Sequence, residues 1–177
     1  AQDADAGRED NPTPNFDTPW ATDDACVRMP DTLAECADLV LRTADPAMKA
    51  ALSHAAYAKF VASDGTMRVG VASPPNRPAR PDRPELVHPK DVPSPKTCPL
   101  GMSAAMIHNV AHIELNAIDL AWDTVARFSA LAADRGGDRG DGNLINLPVD
   151  FFADFARVAD DESRHLGWCL QRLGEMG

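Results

Sequence analysis

Glu162 and His165 stand three residues apart in one segment of helical period, and Glu114 sits inside the apolar stripe of another. Residues at i and i+3 share a helix face, so Glu162 and His165 can reach one point in space. A carboxylate isolated among apolar neighbours takes up a proton or finds a partner. Two such carboxylates and an imidazole have an economical common solution, a cation between them. Oxygen and imidazole donors suit iron, manganese or zinc. A glutamate from one helix with Glu-x-x-His from its neighbour is half of the ligand set of carboxylate-bridged di-metal centres in helical bundles.

Glu-x-x-His occurs by chance in many chains, and its bland reading is a surface pair. Placement strengthens it. At helical spacing the first segment reads Ile107, Val110, Glu114, Ala117, Ile118, Ala121, Val125, Phe128, and the second reads Phe151, Phe155, Val158, Glu162, His165, Cys169, Leu173. Both stripes are apolar except at the residues in question, which predicts a buried site. The competing expectation is a metal-free hydrogen-bond network in which a core glutamate pairs with Arg164 or His112. His108 and His112 lie four apart, with Asp119 further along a nearby face. They read as an extra ligand or supporting donor, or as a half-exposed polar flank; His112, two residues from Glu114, is the additional candidate metal ligand. His54 and His88 have no such company and are assigned no role.

These residues need helices to position them. Residues 103–177 read as a long antiparallel helix pair, about 103–131 and 148–174, the second opening at Pro148. Between them Asp134–Gly142 is a loop by composition, and its Arg139-Gly140-Asp141 tripeptide is taken as accidental. Residues 31–73 read as a helical hairpin: one helix capped by Asp31 and broken at Thr43-Ala44, a second with Asp45 as N-cap and Pro46 in its first turn. Residues 74–102 are dense in proline, which forbids helix and ladder pairing and predicts an extended strap across the helices. Residues 1–30 form an irregular acidic arm in which Phe16 and Trp20 are the candidate docking side chains.

The chain has 177 residues and a formal net charge of -10, which argues against free nucleic acid as a partner. No apolar run approaches the ~20 residues of a membrane-spanning helix. Cys26, Cys36, Cys98 and Cys169 have no paired spacing and read as free thiols, which places the chain in an intracellular reducing compartment, cytoplasm or organelle interior.

Ala111-His-Ile-Glu-Leu-Asn-Ala-Ile-Asp-Leu-Ala-Trp-Asp123, the following Val125-Ala-Arg-Phe128, and Arg157-Val-Ala-Asp-Asp-Glu-Ser-Arg-His165 together resemble the DUF455 family of ferritin-like proteins. Arg77-Pro-Ala-Arg-Pro-Asp-Arg-Pro-Glu-Leu86 and the Asp45-Pro46 helix start resemble that family's N-terminal half. The resemblance implies an all-α, ferritin-like helical bundle, present here as a half-bundle. It makes Glu114, Glu162 and His165 ligands to iron or manganese, two ions per complete site, and suggests an O2-dependent oxidase or hydroxylase. Family members continue with a second helix pair carrying another glutamate and a second acidic-x-x-His. The resemblance ends abruptly at Gly177, inside that pattern, so the missing ligands are expected from further residues of the same polypeptide, or else from a second copy across a two-fold axis. The alternative function is a metal-free structural or accessory subunit of a larger assembly, with a protein partner or second copy on the exposed bundle face. Metal storage in a many-copy assembly is a weaker third expectation.

Overall fold

A computed structural model describes residues 28–133 and 146–177. Most of the N-terminal arm, with Phe16, Trp20 and Cys26, and the Asp134–Gly142 loop with its Arg-Gly-Asp tripeptide lie outside the described residues. Four α-helices make up the fold: α1 (Leu33–Arg42), α2 (Pro46–Ala62), α3 (Met102–Phe128) and α4 (Val149–Met176). Among the described residues there is no β-strand, only an isolated bridge between Ala132 and Leu147. No helix is long and apolar enough to cross a membrane.

Local chemistry sets the helix ends. Asp45 caps α2 by accepting from the Met48 N–H, and Pro46 follows in the first turn. At α1 the cap is Thr32 rather than the expected Asp31. The Thr32 hydroxyl accepts from Glu35 N, while Asp31 reaches Lys59 at 3.2 Å. The first turn of α1 also lends its free N–H groups outward: Leu33 and Ala34 donate to the carbonyls of Arg68 and Val69.

The segment after α2 runs as an extended strap with two short 3-10 turns, Pro89–Asp91 and Pro95–Thr97. Prolines carry no N–H, so the strap is held largely through its carbonyl groups. Arg42 donates to Ser73 O, Arg127 to Pro75 O and Lys49 to Ala79 O. Ala79 N returns one bond to Leu41 O at 2.7 Å.

Helix α3 packs chiefly on α4, while α4 also meets α2, and α1 lies on α2 and α3. Phe128 meets Phe151 at one end of the long pair, and Glu114 faces Glu162 and His165 farther along, an order that only antiparallel helices give. Trp122 and Phe152 are among the largest fully buried side chains of the core. Each such side chain contributes about 1.5–3 kcal/mol of burial free energy. The indole N–H of Trp122 donates to Ser53 Oγ, which itself donates to Ala159 O, so this polar pair is satisfied inside the apolar layer.

The buried rows of α3 and α4 lie one step around from the expected stripes. On α4 the innermost residues are Phe152, Ala156, Ala159, Ser163 and Leu166; on α3 they include Ala111, Leu115, Ile118, Trp122 and Val125. Val110, Phe128 and Val158, placed in the core by period alone, are exposed.

Candidate metal centre

That rotation places Glu114, Glu162 and His165 on the open side of the α3–α4 pair rather than at its centre. Their side chains are 17%, 24% and 45% exposed, so the site is half-buried and reachable. The antiparallel packing brings the three together. One ligand atom from each lies within 4.8 Å of the others. His165 Nδ1 stands 3.1 Å from Glu162 Oε2 and 3.6 Å from Glu114 Oε2. The Trp168 ring lies beside the imidazole, with centroids 5.5 Å apart.

The electrostatics are those of two carboxyls forced together. Contact with Glu162 pushes the Glu114 carboxyl above its usual range, with burial adding to the effect. The same hydrogen bond, followed by His165, holds the Glu162 carboxyl below its range against the opposing effect of burial. The physical cause is shared: adjacent carboxylates resist ionising together, so one is pushed up and the other down. Cys169, one turn beyond His165, is pushed up by burial and by the nearby Glu114.

Among the described residues His165 is the one basic side chain paired with Glu114 or Glu162, and no lysine or arginine joins it. Arg164 is engaged with Asp161 and Asp160 on its own helix. His112 is not at the cluster: it is exposed, meets the Asn116 amide at 3.3 Å, and is held below the usual histidine range by burial, Arg80 and His108. Neither residue therefore makes the metal-free network with the glutamates that sequence reasoning allowed. Two carboxylates and one imidazole, close together and lacking a compensating cation, are a donor set that fits a hard or borderline divalent ion.

Two charged clusters were missed. Asp119, read as a ligand or a polar flank, is buried between Lys49 Nζ and Arg80 Nη2, each 2.6 Å from one of its oxygens. His54, assigned no role, places Nδ1 2.6 Å from Asp160 Oδ1 and ties α2 to α4. Partners 70 and 106 residues apart leave no local signal. The one available hint was that Asp119 stands at helical spacing with Leu115, Trp122 and Ala126.

The chain is similar to a Haemophilus influenzae protein described as "Uncharacterized protein", with 31% identity over 144 residues, 79% of this chain and 47% of that protein. It thus spans about half the length of the curated relative it matches. No solved structure gives a significant match. Residues 42–177, which carry both long helices, the strap and all three clustered ligands, match the family described as "Protein of unknown function (DUF455)", and the chain belongs to that family.

Proposed function

We propose that this chain is the ferritin-like half-bundle of a di-metal carboxylate protein, and that the complete protein is an O2-dependent oxidase or hydroxylase using iron, with manganese as the other candidate ion. The observation that carries the proposal is the convergence of Glu114, Glu162 and His165 within 4.8 Å on the accessible face of α3 and α4. A bound iron pair supplies the redox chemistry of oxygen activation, with coordination positions left open for the substrate gas. The chain's own residues do the rest. The two glutamates would offer carboxylate oxygens to the ions. His165 would offer one ring nitrogen, with the Trp168 ring beside it. The remaining ligands come from further residues of the same polypeptide or from a second copy.

Anaerobic Fe(II) titration of the 177-residue chain, with Mn(II) followed by electron paramagnetic resonance, tests the proposal. Saturable binding is expected that is lost in Glu162→Ala and His165→Ala and kept in His54→Ala. Wild-type chain that takes up neither ion would end the metal reading.

A second reading, a metal-free structural or accessory subunit, draws on the exposed apolar residues of α3. Met102, Met106, Val110, Ile113 and Leu120 are all exposed, an unusual density for one helix and a surface suited to a protein partner. Size-exclusion chromatography separates the cases: a well-behaved monomer of the isolated chain counts against a covering partner.

A further inference from the structure

Helix α3 is apolar on two opposite sides, and its own chain covers one of them. Leu115, Ile118, Trp122 and Val125 are buried in the core. About half a turn around, Met102, Met106, Val110, Ile113, Ala117 and Leu120 form a second row. All of it but the half-buried Ala117 is exposed, Ile113 by 62% and Leu120 by 70%. Helix α4, of nearly the same length, exposes two large apolar side chains, Val158 and Trp168. The steps along the row are 4, 4, 3, 4 and 3 residues, close to the 3.6-residue turn, so it runs nearly straight along the helix. A row this narrow is the seam that a second helix covers; a globular core takes a broader face.

The row is close to a palindrome about Ile113. Met106 and Leu120 stand seven residues to either side of it, and Met102 and Thr124 eleven; the inner positions, Val110 and Ala117, differ by one. When two identical helices run antiparallel about a two-fold axis at Ile113, Ile113 meets its own copy, Met106 meets Leu120 and Met102 meets Thr124. The Thr124 hydroxyl donates to Leu120 O within the helix, so covering it strands no donor.

Charge does not oppose the pairing. Histidines aside, the acidic and basic side chains of α3 are Glu114, Asp119, Asp123 and Arg127, and none stands on the row. Each is engaged within its own chain: Glu114 with Glu162 and His165, Asp119 with Lys49 and Arg80, Asp123 with Arg127. With no lysine on α3 and its one arginine held by Asp123, an anionic lipid surface is a poor match for this face.

We propose that this row is a self-association surface: two copies of this chain pair α3 against α3, antiparallel, with Ile113 on the two-fold axis. The pairing goes beyond the metal reading and does not depend on it, since Glu114, Glu162 and His165 all lie off the row.

Size-exclusion chromatography with light scattering, in chelator and reductant, should give a mass twice the 19.0 kDa of one chain. Ile113→Asp removes the central apolar pair and sets two like charges on the axis, so the dissociation constant of the dimer should rise by more than about a hundredfold. Ile113 is exposed in the single chain, so this variant should keep the wild-type circular dichroism. Crosslinking reads the register. Under mild oxidation Ile113→Cys should form a covalent dimer by itself, whereas Met102→Cys should form one only when mixed with Thr124→Cys; wild type under the same oxidant gives the background from the native cysteines. A monomeric wild type would leave the row to another protein or to further residues of a longer polypeptide, and would overturn the proposal. So would a dimer indifferent to Ile113→Asp, or one in which Met102→Cys joins to itself as readily as Ile113→Cys, the mark of a parallel pair.

Discussion

Lys49 Nζ lies 2.6 Å from Asp119 Oδ1 in the interior, the lysine side chain wholly shielded from water and the aspartate 4% exposed. Burial pulls the Lys49 ammonium down in pKa and pushes the Asp119 carboxyl up, and the contact between the two opposes both shifts. Arg80 shares the same carboxylate. Asp119→Asn therefore strands two cations at once and should cost about 3–5 kcal/mol in urea unfolding. Lys49→Met leaves Arg80 and Asp119 as a balanced pair and replaces a desolvated charge with an apolar chain, so the loss should stay under about 2 kcal/mol. Equal losses in the two variants would mean that the lysine, not the shared carboxylate, organises the cluster.

A second prediction concerns the start of the strap. Gly70 has φ +71°, and a Cβ there would fall 2.5 Å from Thr32 Cβ, the residue that caps α1. Gly70→Ala should lower stability by more than about 2 kcal/mol, combining left-handed strain with loss of the cap. Gly65 is the control: its φ is +80° but open space surrounds it, so Gly65→Ala should cost only the backbone strain, about 1 kcal/mol. Thermal melts by circular dichroism distinguish the two.

The helices were legible because their signals are local. Asp45-Pro46 and Pro148 mark helix starts in the chain itself, and the proline density of 74–101 leaves room for only two short 3-10 turns. The three clustered ligands were legible for the same reason, a spacing of three on one helix and a charged interruption on another. Their exposure was not. Apolar residues run around much of α4, and period alone does not say which are covered: Phe152 and Leu166 are buried and Val158 is exposed. The small Ala156, Ala159 and Ser163 are buried with them. The Lys49–Asp119–Arg80 and His54–Asp160 pairings join segments far apart in sequence, and charge pairing of that kind depends on the finished fold.

Stability should also report the His54–Asp160 contact through pH. The hydrogen bond to Asp160 raises the His54 pKa above its ordinary 6.5, against the opposing effect of burial. A raised folded-state pKa means the protonated ring stabilises the native state. That contribution is complete below the unfolded value and disappears as pH rises through the folded one. The ring is 53% exposed, so solvent screening limits the effect to about 1 kcal/mol or less. The stability gap between wild type and His54→Ala, measured by urea unfolding, should be largest near pH 6 and shrink on the alkaline side. A gap that stays constant or widens with pH would show that the imidazole acts there as a neutral group.

The sign of a stability change at Glu162 separates the two functional readings. Its neighbours are Glu114 and His165, and among the described residues no lysine or arginine pairs with either carboxyl. Glu162→Leu removes one of two crowded acids from an open face, so the metal-free chain should hold or gain stability, by up to about 1 kcal/mol. The same variant should lose any response to Mn(II). In wild type, ion at 100 times its dissociation constant adds about 2.7 kcal/mol through preferential binding to the folded state. Paired melts with and without Mn(II) read both quantities. A gain in metal-free stability together with loss of the Mn(II) response means the carboxylate is kept for binding at a cost to the fold. A large loss in the absence of metal would instead make Glu162 part of a satisfied structural network with His165, and would favour the accessory-subunit reading over the metal centre.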